Sequence, residues 1–262
     1  MTDTMVFGDR EDAQGLDRAK AFLRRRTEGR AVAFLAVILL FVAFYQPLVI
    51  TSYSVTLGRI ALIGLVALGL TAVIFMGELD LSVASTLAAS GVIVAVIPDL
   101  RVAIPVALLT GIAVGIVNAF FIAVVGIASF IATLGMLFVL SGLAFVLSGE
   151  EPVNLQNQEA GLLFGQALIG PVTPRILIFV VVFLALQIFV TRVKVGREFF
   201  AVGGNRQAAY DAGIPVRRRI FTGFMISGFV SALAGVVYTL TLTTAAPDAG
   251  STVLLGSFAA AI

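Results

Sequence analysis

The chain is a series of long apolar runs separated by short polar breaks. The runs are about 20 residues long, which at 1.5 Å per residue matches the hydrocarbon core of a bilayer. They are apolar on every side, whereas a surface helix of a soluble protein carries one apolar stripe. The pattern predicts an all-α, polytopic transmembrane helix bundle of about seven spans plus an incomplete eighth. The spans are predicted at about 31–50, 56–76, 81–98, 102–124, 127–148, 174–192 and 219–242, with an incomplete apolar segment at 251–262.

Turn-forming residues separate several of these spans. Residues 77–80 divide the second span from the third, and residues 98–101 divide the third from the fourth. Between the fourth and fifth spans, Gly126 is the main turn signal. The boundaries between 76 and 130 are therefore the least sharply defined.

The basic residues predict the orientation of the chain. Of the 17 Lys and Arg residues, seven precede the first span and seven lie between the sixth and seventh, while the others are Arg59, Arg101 and Arg175. Basic loops stay in the cytoplasm, and an even number of predicted spans separates the two clusters. We therefore expect a cytoplasmic N-terminal tail at 1–30 and a membrane domain at 31–262, with the acidic and amide-rich segment 149–173 outside. That segment is either a docking surface for a partner or a solvated connector.

Composition narrows the possible chemistry. The chain is 60% hydrophobic and 12% charged, with a mean hydropathy of +1.09. It has no Cys, His or Trp, so the commonest metal ligands and acid–base groups are absent. A G-x-x-x-x-G-K-[ST] phosphate loop does not occur in the sequence. We predict no catalytic residues, no metal, no cofactor and no nucleic-acid partner.

The loop at 192–219 is too apolar and too well punctuated for a flexible linker. Asn205 is a good N-cap, residues 206–212 favour a short helix, and Gly213 fits the position that ends one. Pro215 prevents continuation of the helix. The adjacent Ala208 and Ala209 are small enough to let another surface approach closely.

Three segments carry a resemblance to a known family. Gln207-Ala208-Ala209-Tyr210-Asp211-Ala212-Gly213 resembles the E-A-A-x-x-x-G element of importer permeases, with Gln in place of the usual Glu, and is preceded by a glycine-rich Val202-Gly203-Gly204-Asn205. Gly77-Glu78-Leu79-Asp80-Leu81-Ser82 is similar to G-G-I-D-L-S, with Glu78 departing from Gly. Phe130-Ile131-Ala132-Thr133-Leu134-Gly135 matches F-I-A-T-L-G. Over about residues 58–250 the chain looks like an ATP-binding cassette importer permease of the ribose, xylose and galactose type, within the wider branched-chain amino acid and sugar permease superfamily.

The resemblance implies an organisation and a set of partners. A cytoplasmic ATPase would dock on the loop helix through Gln207, Ala208, Ala209, Asp211 and Gly213. A second permease subunit and an extracytoplasmic solute-binding protein would complete the importer, in the lipid of a bacterial plasma membrane. A monosaccharide is the expected cargo, and nucleosides, furanosyl autoinducers and branched-chain amino acids are the alternatives. The resemblance also implies that roughly 60 further residues, with about two more spans, follow Ile262.

Asp80, Ser82 and Asn118 are the candidates for contact with the solute. A carboxylate inside a membrane is costly and usually marks function. Alternatively, Glu78 and Asp80 are solvated at the cytoplasmic surface, or Asp80 or Ser82 caps the third span. Asn118 suits a sugar hydroxyl, although such an amide more often bonds a neighbouring helix. Small residues spaced four apart, as packing ridges rather than site residues, are Gly111, Gly115, Ser227, Ser231 and Gly235.

Two rival functions remain at this stage. A secondary transporter would need ion-coupling groups within its spans, and beyond Glu78 and Asp80 the spans offer almost none. A membrane-embedded enzyme would have to use the same two carboxylates without help from His or Cys.

Overall fold

A computed structural model describes residues 53–166, 168 and 172–262. The chain divides into two compact units, Met1–Thr56 and Leu57–Ile262, and the described residues belong almost entirely to the second. The predicted tail at 1–30 and the predicted span at 31–50 lie outside the described residues. The helices are α1 Tyr53–Ile74, α2 Val83–Val96, α3 Leu100–Phe120, α4 Ser129–Ser148, α5 Gln158–Gly165, α6 Pro174–Arg192, α7 Lys194–Gly204, α8 Arg206–Asp211, α9 Val216–Leu242 and α10 Ser251–Ala261.

Five of the described helices are long and apolar enough to cross a membrane. They correspond to the predicted spans at 56–76, 102–124, 127–148, 174–192 and 219–242, and they are Thr56–Ile74, Leu100–Val125, Ser129–Ser148, Pro174–Arg192 and Val216–Leu242. The predicted all-α membrane bundle is confirmed for this part of the chain, and the total number of spans stays a prediction.

The predicted span at 81–98 is shorter than expected. Its helix, α2, has 14 residues and is therefore about 21 Å long, which is less than the thickness of the hydrocarbon core. The helix lacks two of the predicted residues at each end: 81–82 belong to the non-helical segment 77–82, and 97–98 follow its last residue, Val96. Such irregular backbone is tolerated at membrane depth only where protein or water surrounds it.

Helix α9 is the centre of the bundle, and α6 lies at its edge. In their most apolar windows, 67% of α9 is buried and none of α6 is. Glycines bring α3 and α2 against α9: a Cβ added to Gly111 would lie 2.2 Å from the carbonyl oxygen of Gly228, and one added to Gly235 would lie 2.2 Å from that of Leu87. The predicted packing role of Gly111, Gly115 and Gly235 is confirmed.

The turns on either side of α3 follow the sequence signals. The carboxylate of Asp99 accepts a hydrogen bond from the backbone N–H of Arg101 and caps the start of α3. At the other end, a π-helical turn at Phe121–Val125 leads to Gly126, whose φ of 88° lies in the left-handed region that favours glycine.

The segment between α4 and α6 contains structure that the apolar pattern did not predict. Strand β1 (Val153–Asn154) pairs antiparallel with β2 (Thr244–Ala245), in the register Val153 to Ala245. The N–H of the buried Leu155 also bonds the carbonyl of Thr243 at 2.8 Å. Residues 153–155 are thus hydrogen-bonded to 243–245 at the end of α9. A role of the segment 149–173 in docking a partner stays a prediction.

Candidate functional site

The break at 77–82 is held in place by hydroxyl groups at the start of α4. The N–H of Leu79 donates to Ser129 Oγ and the N–H of Leu81 donates to Thr133 Oγ1, each at 3.1 Å. The Thr133 hydroxyl in turn donates to the carbonyl of Ser129 at 2.7 Å. Two of the three resembling segments, 77–82 and 130–135, are therefore in direct contact, because Thr133 accepts a hydrogen bond from the backbone N–H of Leu81.

Asp80 lies at the centre of a buried polar cluster. It is 1% exposed, and its Oδ1 accepts from the N–H of Ser82 at 3.0 Å and from Ser82 Oγ at 2.6 Å. Its Oδ2 accepts from Ser227 Oγ at 2.7 Å. Asn118 Nδ2 completes the cluster by donating to Ser82 Oγ at 2.8 Å. The three predicted pathway candidates, Asp80, Ser82 and Asn118, are thus brought together.

The cluster decides between some of the alternatives left by the sequence. Surface solvation of the two carboxylates is wrong, because Glu78 is 5% exposed and Asp80 is 1% exposed. Asp80 does bind the N–H of Ser82 ahead of α2, where the helix dipole favours a negative charge. Asn118 makes the expected bond to a neighbouring element, while its Oδ1 has no hydrogen-bond partner among the described residues.

Ser227 is the member of the cluster that sequence reasoning missed. Its spacing within α9 indicated a packing ridge, and only the fold brings it to a carboxylate 147 residues away. It lies about 16 Å along α9 from Val216, at 1.5 Å per residue. The carboxylate therefore sits well inside the bundle, where several hydrogen bonds offset its burial.

The loop between α6 and α9 packs against the end of α1. A Cβ added to Gly203 would lie 2.2 Å from the carbonyl oxygen of Phe75, so glycine is required for this close approach. The rings of Phe75 and Phe200 lie 4.4 Å apart, and Glu198 pairs with Arg219 at the start of α9. The prediction that this loop is ordered is confirmed.

Helix α8 has the ends that the sequence predicts. Asn205 Oδ1 accepts from the N–H of Ala208 at 2.9 Å. At the other end, Gly213 has a φ of 79°. Its N–H bonds the carbonyl of Tyr210, and the N–H of Ile214 bonds that of Ala209, which is the Schellman pattern. The helix is therefore a six-residue unit that is capped at both ends.

The two adjacent alanines of α8 differ in their exposure to solvent. Ala208 is exposed, but Ala209 is 4% exposed and packs into an apolar cluster of this chain that includes Met76 and Ile220. The prediction that both alanines present a surface to a partner is wrong for Ala209, because successive helix residues point in different directions. Tyr210, which is 68% exposed, is a large side chain on this surface that sequence reasoning missed.

Comparison with known proteins identifies the family. The family model described as "Branched-chain amino acid transport system / permease component" matches residues 52–262. The chain belongs to this permease family. No solved structure matches this chain.

Several curated proteins are similar to this permease-family chain. The ribose import permease protein of Escherichia coli K12 is 34% identical over 205 residues, covering 76% of this chain and 64% of that protein. The L-arabinose ABC transporter permease protein of Azospirillum brasilense is 35% identical, covering 78% and 61%. The autoinducer 2 import system permease protein of Photorhabdus temperata is 32% identical, covering 76% and 63%. The chain thus spans less than two thirds of the length of these relatives.

Proposed function

We propose that this chain is the membrane-spanning permease subunit of an ATP-binding cassette importer and forms the route of a small polar solute. The observation that carries the proposal is α8, a capped helix with an exposed Ala208 at the end of the bundle where 193–215 packs on α1. The family match over 52–262 supports it. In this proposal the chain is not an enzyme, and ATP hydrolysis takes place on a separate polypeptide.

The five residues assigned to ATPase coupling take different roles. Ala208 and Gln207 are on the exposed face, where the partner would dock, and Gln207 Nε2 bonds Asp211 Oδ1 at 2.9 Å one turn away. Gly213 ends the helix, and Ala209 seats it on the body of the chain. Tyr210 joins the set because exposed aromatic side chains often dominate binding at interfaces.

Asp80, Ser82 and Asn118, with Ser227, are proposed to face the solute when the route opens. In the described structure the carboxylate is satisfied by neutral hydroxyl and N–H donors. A sugar also offers hydroxyl donors, so it could replace Ser82 or Ser227 at Asp80 without separating an ion pair. The unpartnered Asn118 Oδ1 could accept a further hydroxyl.

A monosaccharide is the proposed cargo. The similar proteins quoted above are named for ribose, L-arabinose and autoinducer 2. Small, neutral solutes that are rich in hydroxyl groups match the neutral donors of the Asp80 cluster.

The proposed partners are a cytoplasmic ATPase, a second permease subunit and an extracytoplasmic solute-binding protein. The proposed location is the bacterial plasma membrane, with the N-terminus and α8 in the cytoplasm and 149–173 outside. The basic clusters before residue 31 and between 192 and 219 support this orientation.

Reconstitution of the complete transporter tests this function. Proteoliposomes holding the importer with its cognate ATPase and binding protein should take up labelled monosaccharide only when ATP is present on the ATPase side. Uptake driven by a proton or sodium gradient without ATP would contradict the proposal and favour a secondary transporter, for which Asp80 would be the coupling group.

A further inference from the structure

An ion pair joins α8 to the non-helical segment 77–82 that contains Asp80. Arg206, the first residue of α8, pairs with Glu78. The side chain of Glu78 is 6% exposed and that of Arg206 is 48% exposed. The pair therefore reaches from the surface of the bundle to a carboxylate inside it.

The inner end of this contact leads directly to the Asp80 cluster. Glu78 and Asp80 are two residues apart in non-helical backbone, a separation of about 7 Å. The intervening Leu79 is fixed through its N–H to Ser129, and Leu81 is fixed to Thr133. Because these bonds join Glu78, Asp80 and the start of α4 in one connected unit, a displacement of Glu78 would also move Asp80 relative to Ser227 on α9.

The outer end of the contact belongs to α8, a short helix that is capped at both ends. Asn205 and Gly213 close the two ends of α8, and Gln207 bonds Asp211 within it. Among the described residues, α8 also packs on the bundle through apolar contacts of Ala209. Apolar contact is non-directional and lets surfaces slide, whereas an ion pair between a buried carboxylate and a guanidinium resists separation.

We propose that Arg206 and Glu78 are positioning residues that carry movement of α8 to the Asp80 cluster. This inference rests on the proposed function of α8. It gives a role to Glu78, which departs from the glycine expected in the resembling motif, and it assigns to Arg206 a task different from docking the ATPase.

The test compares the number of solute molecules imported per ATP hydrolysed by the complete transporter in proteoliposomes. The variants are Arg206→Gln, Arg206→Lys, Glu78→Gln and the double variant Arg206→Gln/Glu78→Gln. The control is Lys194→Gln, which also removes a positive charge that pairs with a glutamate in this loop, Glu198, at 3.8 Å. A variant that only lowers the amount of folded transporter reduces import and hydrolysis together and leaves their ratio unchanged.

We expect Arg206→Gln and Glu78→Gln each to lower the ratio about five-fold or more, and the double variant to be no worse than either. Arg206→Lys and Lys194→Gln should stay within about two-fold of the unaltered protein. A normal ratio in Arg206→Gln, additive losses in the double variant, or an equal loss in Arg206→Lys would each overturn the link. If the unaltered transporter shows no ATP-driven uptake, the proposed function fails, and the link fails with it.

Discussion

Removal of the Ser227 hydroxyl tests whether its hydrogen bond to Asp80 stabilises the folded protein. Ser227 Oγ donates to Asp80 Oδ2 at 2.7 Å, and its residue is fully buried. Ser227→Ala removes this donor and changes the packing volume little. Asp80 Oδ2 has no other hydrogen-bond donor among the described residues, since the bonds from Ser82 go to Oδ1.

The size of the effect follows from the burial of the carboxylate. A buried acceptor that loses its partner costs about 1–3 kcal/mol, and charged acceptors lie at the upper end. Taking about 2 kcal/mol, and about 2–4 °C per kcal/mol for a domain of this size, we expect the Tm to fall by about 4–8 °C.

Ser231 provides a matched control one turn further along the same helix. It is also fully buried, but its hydroxyl has no hydrogen-bond partner among the described residues. Ser231→Ala removes a group that burial penalises, so its Tm should stay within about 2 °C of the unaltered protein or rise. Thermal unfolding of detergent-purified protein, followed by circular dichroism or light scattering, measures both variants.

Equal shifts for the two alanine variants would refute the reasoning. That result would mean that the bond from Ser227 to Asp80 contributes no more than an unpartnered hydroxyl does. A second check is the variant Asp80→Asn, in which the charge that Ser227 supports is absent. Ser227→Ala should then cost clearly less than it does beside the aspartate, because the two residues share one interaction.

Three further predictions concern orientation, coupling and the anchor of the break. The chain has no native Cys, so a single introduced Cys can be labelled selectively. A Cys in place of Asn157 should react with an impermeant maleimide in intact cells, and a Cys in place of Arg197 should react only after permeabilisation. The reverse pattern would contradict the proposed orientation. Ala208→Arg or Gly213→Val should leave expression nearly unchanged but reduce ATP-driven uptake in proteoliposomes about ten-fold. The arginine blocks the exposed face of α8, and the valine opposes the left-handed turn at its end by about 1 kcal/mol or more. Normal uptake in both variants would show that α8 is not the element that couples to the ATPase. Thr133→Ala deprives the N–H of Leu81 of its acceptor and should destabilise the fold by about 1–3 kcal/mol, which lowers the Tm by about 2–12 °C. The half-buried Thr110→Ala should leave the Tm nearly unchanged, and equal Tm values for the two variants would show that the bond from Leu81 to Thr133 is unimportant.

Local signals predicted the parts of the fold that depend on local chemistry. Apolar runs of the right length identified the five long described helices, because the bilayer imposes one requirement on every span. Asn205 and Gly213 identified the ends of α8, since a cap is a contact between residues three to five apart.

The remaining features depend on contacts between distant segments. Whether Ala208 or Ala209 faces a partner is decided by where α8 lies on Met76 and Ile220, and six residues are too few to show a periodic pattern. The start of α2 at Val83 is likewise hidden in the sequence, because Leu81 and Ser82 are residue types that also occur within the helix that follows. The non-helical path of 77–82 is set by Ser129 and Thr133, about 50 residues away.

The role of Glu78, which replaces a glycine of the resembling motif, becomes clear only when its partner Arg206 is known. From the sequence alone, Glu78 is a carboxylate next to a glycine turn, and it could be either solvated at the surface or functional within the membrane. In the fold it is buried and paired with Arg206. A glycine at this position has no side chain with which to pair, so α8 would then touch the break through apolar contacts alone. The charged link between α8 and the Asp80 cluster therefore depends on the acid that this chain carries at position 78.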